Sequence, residues 1–424
     1  MLSRFSPRLA SAAVRRFSAA PGAVPGSALP TAFDIFNPTE DHTMFRNMLR
    51  QFAEDKVEPQ ALEHNRKEIF NRDLFTELGG LGVLGITVAE EYGGSAMDAT
   101  AVVIAMEELS ASDPAFCLSY LAHATLFVNN LHLNGTHAQK LKYLPSACDG
   151  SKVGGMCMSE PGAGTDVLGM STTAKQQEGG DWLINGTKMW ITNGTLDGET
   201  TGDYFLVYAR TGEKKTDLSM FIVEKDMPGF SLGQKIENKL GMRASMTAEL
   251  VFEDVRVPAE NLVGTVNGAS ICMMRNLEIE RVALAAMATG IARRCVEEMN
   301  KYATARKAFG KPLSDFGQTQ KAIGESYADY MAGKSYTYST SNNLDLASSG
   351  NVLDSDGVKL FAAKMSKEVA DRAIQVLGGN GYTGEYRVEQ MWRDAKLLEI
   401  GGGTNEAHHK NMVNWFKKAG HELP

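Results

Sequence analysis

Residues 399–409 read EIGGGTNEAHH, and residues 378–384 read GGNGYTG. Clustered glycines cost backbone entropy on folding and let a ligand lie against bare main chain. Three chemistries could use them: a phosphate cradle, a dinucleotide-binding turn, or N–H groups offered to a flat ring or a thioester. A phosphate-binding loop needs GxxxxGK[ST] directly after a strand, and GGGTNE has no lysine there. A dinucleotide fingerprint opens a βαβ unit, whereas GGNGYTG follows a predicted helix. Helix-ending turns are the plainer use of both clusters. Two carboxylates, Glu278 and Glu280, lie in NLEIERVALA. Two positions apart on a helix they face different ways, so both cannot enter one pocket. His408 and His409 read as a solvated helix face rather than a metal site. The five cysteines form no CxxC pair, so neither a disulfide framework nor a zinc site is expected.

The elements that must position these groups change character along the chain. Residues 42–148 read as helical. MFRNMLRQFAEDKV places Met44, Met48, Leu49, Phe52 and Val57 close to helical spacing, and ATAVVIAMEELSAS is a second helix ending before Asp113–Pro114. Between them GGLGVLGITVAEEYGG breaks helix repeatedly. From residue 153 to about 260, short aromatic and β-branched runs predict a compact β domain: WLINGTKMWITNG, DYFLVYAR, LSMFIVEK and AELVFEDVRV. Helix returns after Gly268. The stretch from Ser270 to Gly310 has no proline and reads as one helix, too long to stand alone on a surface. VKLFAAKMSKEVADRAIQVLGG follows, with Val358, Phe361, Ala362, Met365, Val369, Ala373 and Val376 on one stripe and Gly378 as its stop. The expectation is an α+β chain in four segments: 1–33, a leader and linker; 34–150, helical; 151–262, β; 263–424, a helical bundle.

The leader carries Arg4, Arg8, Arg15 and Arg16, many Ser and Ala, and no acid. That is the composition of a mitochondrial transit peptide, so the mitochondrial matrix is the expected location. Removing those four arginines with the first twenty residues takes the formal charge from −8 to −12. So acidic a chain is a poor nucleic-acid binder. No stretch reaches eighteen uninterrupted apolar residues, so no transmembrane segment is expected.

Five stretches, in order, resemble the acyl-CoA dehydrogenase family: MSEPGAGTDV (158–167), KMWITNG (188–194), RKAFGKPLSDF (306–316), QVLGGNGYTGEY (375–386) and RDAKLLEIGGGTNE (393–406). The resemblance runs from about residue 40 to the end. It implies an N-terminal helical domain, a central β domain and a C-terminal four-helix bundle. It also implies FAD as cofactor, an acyl-CoA substrate, electron-transferring flavoprotein as electron acceptor, and a homotetramer. In that family a carboxylate removes a proton from the thioester's α carbon while a hydride leaves the β carbon for the flavin.

In most members the base is a glutamate where this chain has Gly402. The isovaleryl-CoA and long-chain branches carry it on the long helix instead, and the matching residue is Glu280. By the same matching, Met158, Ser159, Gly164, Thr165, Trp190, Ile191 and Thr192 are expected at the flavin. So are Arg306, Phe309, Gln375, Gly378 and Gly379, reaching it across a subunit interface, and Thr404 and Glu406 near its adenosine half. Thr165, Glu278, Arg281, Gly402 and Gly403 are expected to line the acyl-CoA. One departure is DFGQTQ, with Gly317 where many members have glutamine; Gln318 or Gln320 could supply the amide. Likeness to the isovaleryl-CoA branch implies a short branched substrate, with space at 401–403 for a branch near C3. A long-chain substrate, an oxidase using oxygen, or a catalytically silent flavoprotein are the alternatives.

Overall fold

The computed structural model describes residues 34–348 and 350–420, so the expected leader over 1–33 lies outside the described residues. Helices come first: α1 (Glu40–Phe52), α2 (Glu58–Lys67), α3 (Arg72–Gly80), α4 (Ala99–Ser112), α5 (Pro114–Leu121), α6 (Asn130–Asn134) and α7 (His137–Cys148). π-Helical turns at Ala53–Val57 and Ala122–Asn129 interrupt them. α4 is buried along its whole length, which is why its sequence lacks a polar face. Asp113 ends it and starts α5: its Oδ1 accepts the Ala115 N–H at 3.0 Å and the Phe116 N–H at 3.3 Å. Two buried glutamates on α4, Glu107 and Glu108, are neutralised by Arg46, Arg50, Arg293 and Lys334.

The β region holds β1 (Gly154–Cys157), β2 (Thr173–Gln176), β3 (Trp182–Thr192), β4 (Tyr204–Arg210), β5 (Leu218–Glu224), β6 (Phe230–Lys235), β7 (Thr247–Val257) and β8 (Leu262–Val263). Their order is β6-β7-β3-β2-β4-β5-β8, with β1 parallel to β4. β3 does not turn at its first Asn-Gly but runs through it with a register shift. There Gly186 lies so close to Thr172 that a Cβ would sit 2.4 Å from its Oγ1. A second shift, between Lys188 and Ile191, is a bulge that holds Trp190 at φ +66° and turns it outward.

The C-terminal part begins with α8 (Ala269–Ala305), followed by the hairpin β9 (Lys307–Ala308) and β10 (Lys311–Pro312). α9 (Gly317–Asn342), α10 (Val352–Leu377), α11 (Val388–Leu398) and α12 (Asn405–Lys418) complete it. α8 stops short of Gly310, because Arg306 leaves the helical region and the chain turns into the hairpin. The α10 stripe is buried at Val358, Ala362, Met365, Val369 and Ala373, whereas Phe361, at its edge, is exposed. α8, α9 and α10 pack on one another, α11 packs on α10 and α8, and α12 packs on α10. The five cysteines are free. Among the described residues no helix is long and apolar enough to cross a membrane.

Candidate active site

α8 carries its two glutamates to different places. Glu278 Oε2 accepts the Asn351 N–H at 3.1 Å, beside the start of α10. Glu280 points at Gly402: a Cβ built on that glycine would lie 3.5 Å from Oε1 and 3.6 Å from Cδ. Glu280 is 8% exposed, and its Oε2 is buried with no hydrogen-bond partner. Burial pushes the carboxyl up to about 7, against the opposing pull of Arg281 and Lys359. A buried carboxylate with a free oxygen and a near-neutral pKa has the properties of a general base.

The turn Gly401–Gly403 joins α11 to α12. Gly402 has φ +63° and Gly403 φ +98°, conformations that other residues enter at a cost. Space adds to this: a Cβ on Gly402 would lie 2.2 Å from Leu284 Cδ1, and one on Gly403 3.0 Å from His408 Cε1. Buried side chains hold the turn from behind. Lys359 Nζ donates to the Gly403 carbonyl. His408 Nε2 lies 3.0 Å from the same oxygen, and its Nδ1 meets Asp356 Oδ1. Arg281 Nη1 lies 3.3 Å from Asp356. His408 is therefore no part of a solvated face, which corrects the expectation for that pair; His409 alone is exposed, because α12 turns His408 onto α10. Among the described residues no cluster of His, Cys, Asp and Glu could hold a metal ion.

A second group of expected residues gathers on the β domain. Lys188, fully buried, donates to the Met158 carbonyl and to Glu160 Oε1, both at 3.0 Å. Glu160 also accepts from Ser171 N–H and Oγ, both at 2.6 Å, and from Thr172 N–H at 2.9 Å. Burial opposes its charge, but Lys188 and these donors win and hold the carboxyl down at about 2. The Met189 N–H donates to the Ser159 carbonyl at 2.9 Å. Residues 158–172 are thus fastened to β3, with Gly164 and Thr165 exposed at the loop tip. Trp190 is 60% exposed, and Thr192 is half-buried beyond it. Ile191 turns its side chain into the sheet core, so it can meet a ligand by main chain alone.

The remaining positions lie at helix ends. Arg306 and Phe309 sit on the exposed hairpin after α8, Phe309 at 96% exposure. Gln375, Gly378 and Gly379 are exposed at the end of α10. Asn380 Nδ2 donates to Tyr302 Oη at 2.9 Å, which brings the ends of α8 and α10 together. From Glu280 to Arg306 the rise along α8 is about 39 Å. Thr404 caps α12, its Oγ1 accepting the Ala407 N–H at 3.2 Å, and Glu406 is exposed in the first turn. Gln320 Nε2 donates to the Ser314 carbonyl at 3.0 Å, whereas Gln318 is exposed on the first turn of α9.

Three domain families match the chain in sequence order: acyl-CoA dehydrogenase N-terminal domain over 39–151, middle domain over 155–255 and C-terminal domain over 267–415. The chain belongs to the acyl-CoA dehydrogenase family. It is 42% identical to the mitochondrial isovaleryl-CoA dehydrogenase of Solanum tuberosum, over 88% of this chain and 89% of that protein. Butyryl-CoA dehydrogenase from Megasphaera elsdenii has the same fold, with TM-score 0.84 and 33% identity over 89% of this chain and 98% of that one. A glutaryl-CoA dehydrogenase from Mycobacterium smegmatis, solved in complex with FADH2, superposes with TM-score 0.84 at 29% identity, over 90% and 95% of the two chains. The acyl-CoA dehydrogenase family is FAD-dependent, and this member is an oxidoreductase of that class.

Within this acyl-CoA dehydrogenase fold, sequence reasoning missed Lys188–Glu160, which fastens the β-domain loop, and Lys359, Asp356 and His408, which back the glycine turn. One signal for the second set was available. Asp356 and Lys359 are spaced i, i+3 and continue into Ala362 and Ala363 on the buried side of α10, an unusual place for two charges.

Proposed function

We propose that this chain oxidises a short branched acyl-CoA, isovaleryl-CoA foremost, to its 2-enoyl thioester, with FAD as cofactor and Glu280 as base. The observation that carries this is the unpartnered Glu280 carboxyl held against the bare turn at Gly402. With no side chain at 402, the thioester can approach that turn, and the main-chain N–H groups there are the donors for its carbonyl. Glu280 takes the α proton onto its free oxygen. Burial makes the ionised form a stronger base than an exposed glutamate, and Arg281 and Lys359 keep enough of it ionised near neutral pH.

The fold leaves surface that suits FAD. Among the described residues a Cβ added at Gly164, Gly378 or Gly379 would meet nothing within 4 Å, and Trp190 and Phe309 are exposed aromatic side chains. Trp190, Thr192 and the loop from Met158 to Thr165 would hold the ring, and Arg306 and Gln375 the diphosphate side. When bound, FAD accepts the hydride released from the β carbon. Arg306 lies about 39 Å along α8 from Glu280, farther than one dinucleotide reaches, so it would serve a second copy's cofactor. That supports a homo-oligomer, and the family's homotetramer is the state proposed. Electron-transferring flavoprotein in the mitochondrial matrix is the proposed acceptor, in keeping with the family and with mitochondrial relatives.

Anaerobic titration of the holoenzyme with isovaleryl-, butyryl- and palmitoyl-CoA, following visible flavin absorbance, tests the reading. Isovaleryl-CoA is expected to bleach the flavin fastest. Preference for palmitoyl-CoA would move the substrate to long chains, and no bleaching by any of the three would end the dehydrogenase reading.

A further inference from the structure

We propose that Lys359 is a positioning residue for Glu280: its ammonium pins the Gly402–Gly403 turn through the Gly403 carbonyl and is the buried counter-charge the base faces when ionised. This rests on Glu280 being the base.

Lys359 is 0% exposed, and a buried ammonium persists only if it is compensated. Three carboxylates are near enough to act on it: Glu280, Asp356 and Glu399. Asp356 is already engaged by Arg281 and His408. Glu399 is engaged by Lys367 at 3.2 Å and by Lys396. Asp356 and Glu280 each keep one unpartnered oxygen, but among the described residues Glu280 alone of the three pairs with no arginine, lysine or histidine.

Of the groups facing Glu280, Arg281 also acts on its charge, as a second cation. On α8, Glu278 turns away to Asn351, and Arg281 pairs with Asp356. Arg275 is directed to the Ala347 carbonyl and Asn134. From β4, burial keeps the Tyr208 phenol protonated. His408 stands between two acceptors, Asp356 and the Gly403 carbonyl. Burial lowers its pKa, so at neutral pH the ring carries one proton and donates to one of them. That proton can go to either acceptor, whereas Lys359 donates to the Gly403 carbonyl in both tautomers.

Two roles therefore meet on one side chain, and substitution separates them. Lys359→Gln removes the charge and keeps a donor for Gly403; Lys359→Met removes both; Lys359→Arg keeps both. In flavin-loaded full-length enzyme, kcat/KM for isovaleryl-CoA is measured from pH 5.5 to 9.5, together with flavin content and Tm. Losing the facing cation raises the pKa of the base. The acid limb is expected to move up by about 1 pH unit in Lys359→Gln and Lys359→Met, a roughly tenfold loss at pH 6 that recovers toward pH 9. Lys359→Arg should keep the wild-type limb. Lys359→Met alone should also raise KM, through the loosened turn. A limb that stays in place in the neutral variants, with a loss that is the same at every pH, overturns the proposal. If Lys359→Met does not fold, Lys359→Gln decides alone. Glu280→Gln separates the two readings. If it is inactive while the Lys359→Gln limb is unmoved, only the role of Lys359 falls; if it stays active, the base reading falls and this inference with it.

Discussion

Glu280→Gln keeps the shape of the side chain and removes its charge, and two independent quantities should respond. The first is catalytic: loss of a general base is expected to lower kcat by about 10²–10⁴-fold with flavin still bound. The second is stability. Burial raises the Glu280 carboxyl from 4.5 to about 7. A carboxyl whose pKa is higher in the folded state holds its proton more tightly there. Its stabilising contribution is complete below about 4.5, drains away as pH rises through about 7, and stays lost above that. The difference corresponds to about 3 kcal/mol for this buried group. The amide cannot ionise and escapes that loss, so the variant should gain about 3 kcal/mol on the wild type between pH 4.5 and 8. Urea unfolding of both proteins at several pH values, beside steady-state assays, reads both quantities. A wild-type-minus-variant difference that is flat with pH would refute the claim that the fold desolvates this carboxyl. Retained turnover would refute its role as base.

Three other substitutions probe the surroundings. Gly402→Ala must adopt φ +63° and push its Cβ to 2.2 Å from Leu284, so it should cost about 1–2 kcal/mol for the backbone alone. Its kcat/KM should fall more for isovaleryl-CoA than for butyryl-CoA, and equal kinetics with both would place the branch elsewhere. Lys188→Met leaves the buried Glu160 without its cation and should cost about 3–5 kcal/mol, read as a lowered Tm with weakened flavin retention; an unchanged Tm would show that the pair does not hold the loop. Trp190→Ala, at an exposed bulge, should change stability by no more than about 0.5 kcal/mol yet lower the flavin-to-protein absorbance ratio, and full flavin retention would remove Trp190 from the cofactor surface.

Helices and strands were legible where a period or an apolar run was long. α4, α8 and α10, and strands β3, β4, β5 and β7, fall on stretches read from the sequence. The short strands β1, β2, β6 and β8 were not legible, because strands of two to six residues carry too little alternation to stand out from loops. The bulge at Trp190 is not legible for a related reason: a register shift leaves no compositional mark, yet it is what turns the indole outward. Glu280 and Gly402 lie far apart in the chain, and only likeness to known enzymes joined them before the packing of α8 against the glycine turn was seen. The burial of His408 is not legible in the sequence, because adjacent histidines do not reveal which of them a helix turns inward. Lys359 and Asp356 follow the spacing of the buried face of α10, but apolar residues dominate that stripe, so the pattern marks a core face rather than a charged one.

The geometry also explains why a base can change elements within one fold. What the reaction constrains is the position of a carboxylate relative to the thioester's α carbon, not the segment that carries it. Glu280 Oε1 lies within 3.5 Å of where a Cβ on residue 402 would be. A glutamate side chain growing from 402 would have to thread the same space, and two carboxyls so close could not both ionise near neutral pH. The two placements therefore exclude each other, and the pairing of Glu280 with a glycine at 402 is one solution rather than two coincidences. It has a consequence for the turn. Freed of a side chain, Gly402 and Gly403 can hold left-handed φ values, but nothing of their own fixes them there, and three glycines in a row are the most mobile backbone a chain can offer. Rigidity has to be supplied from outside, and the structure supplies it from behind, through the carbonyl of Gly403. The buried charges on α10 and α12 are thus the counterpart of the bare turn: with Glu280 on α8 as the proposed base, the group around Lys359 keeps the turn in one shape.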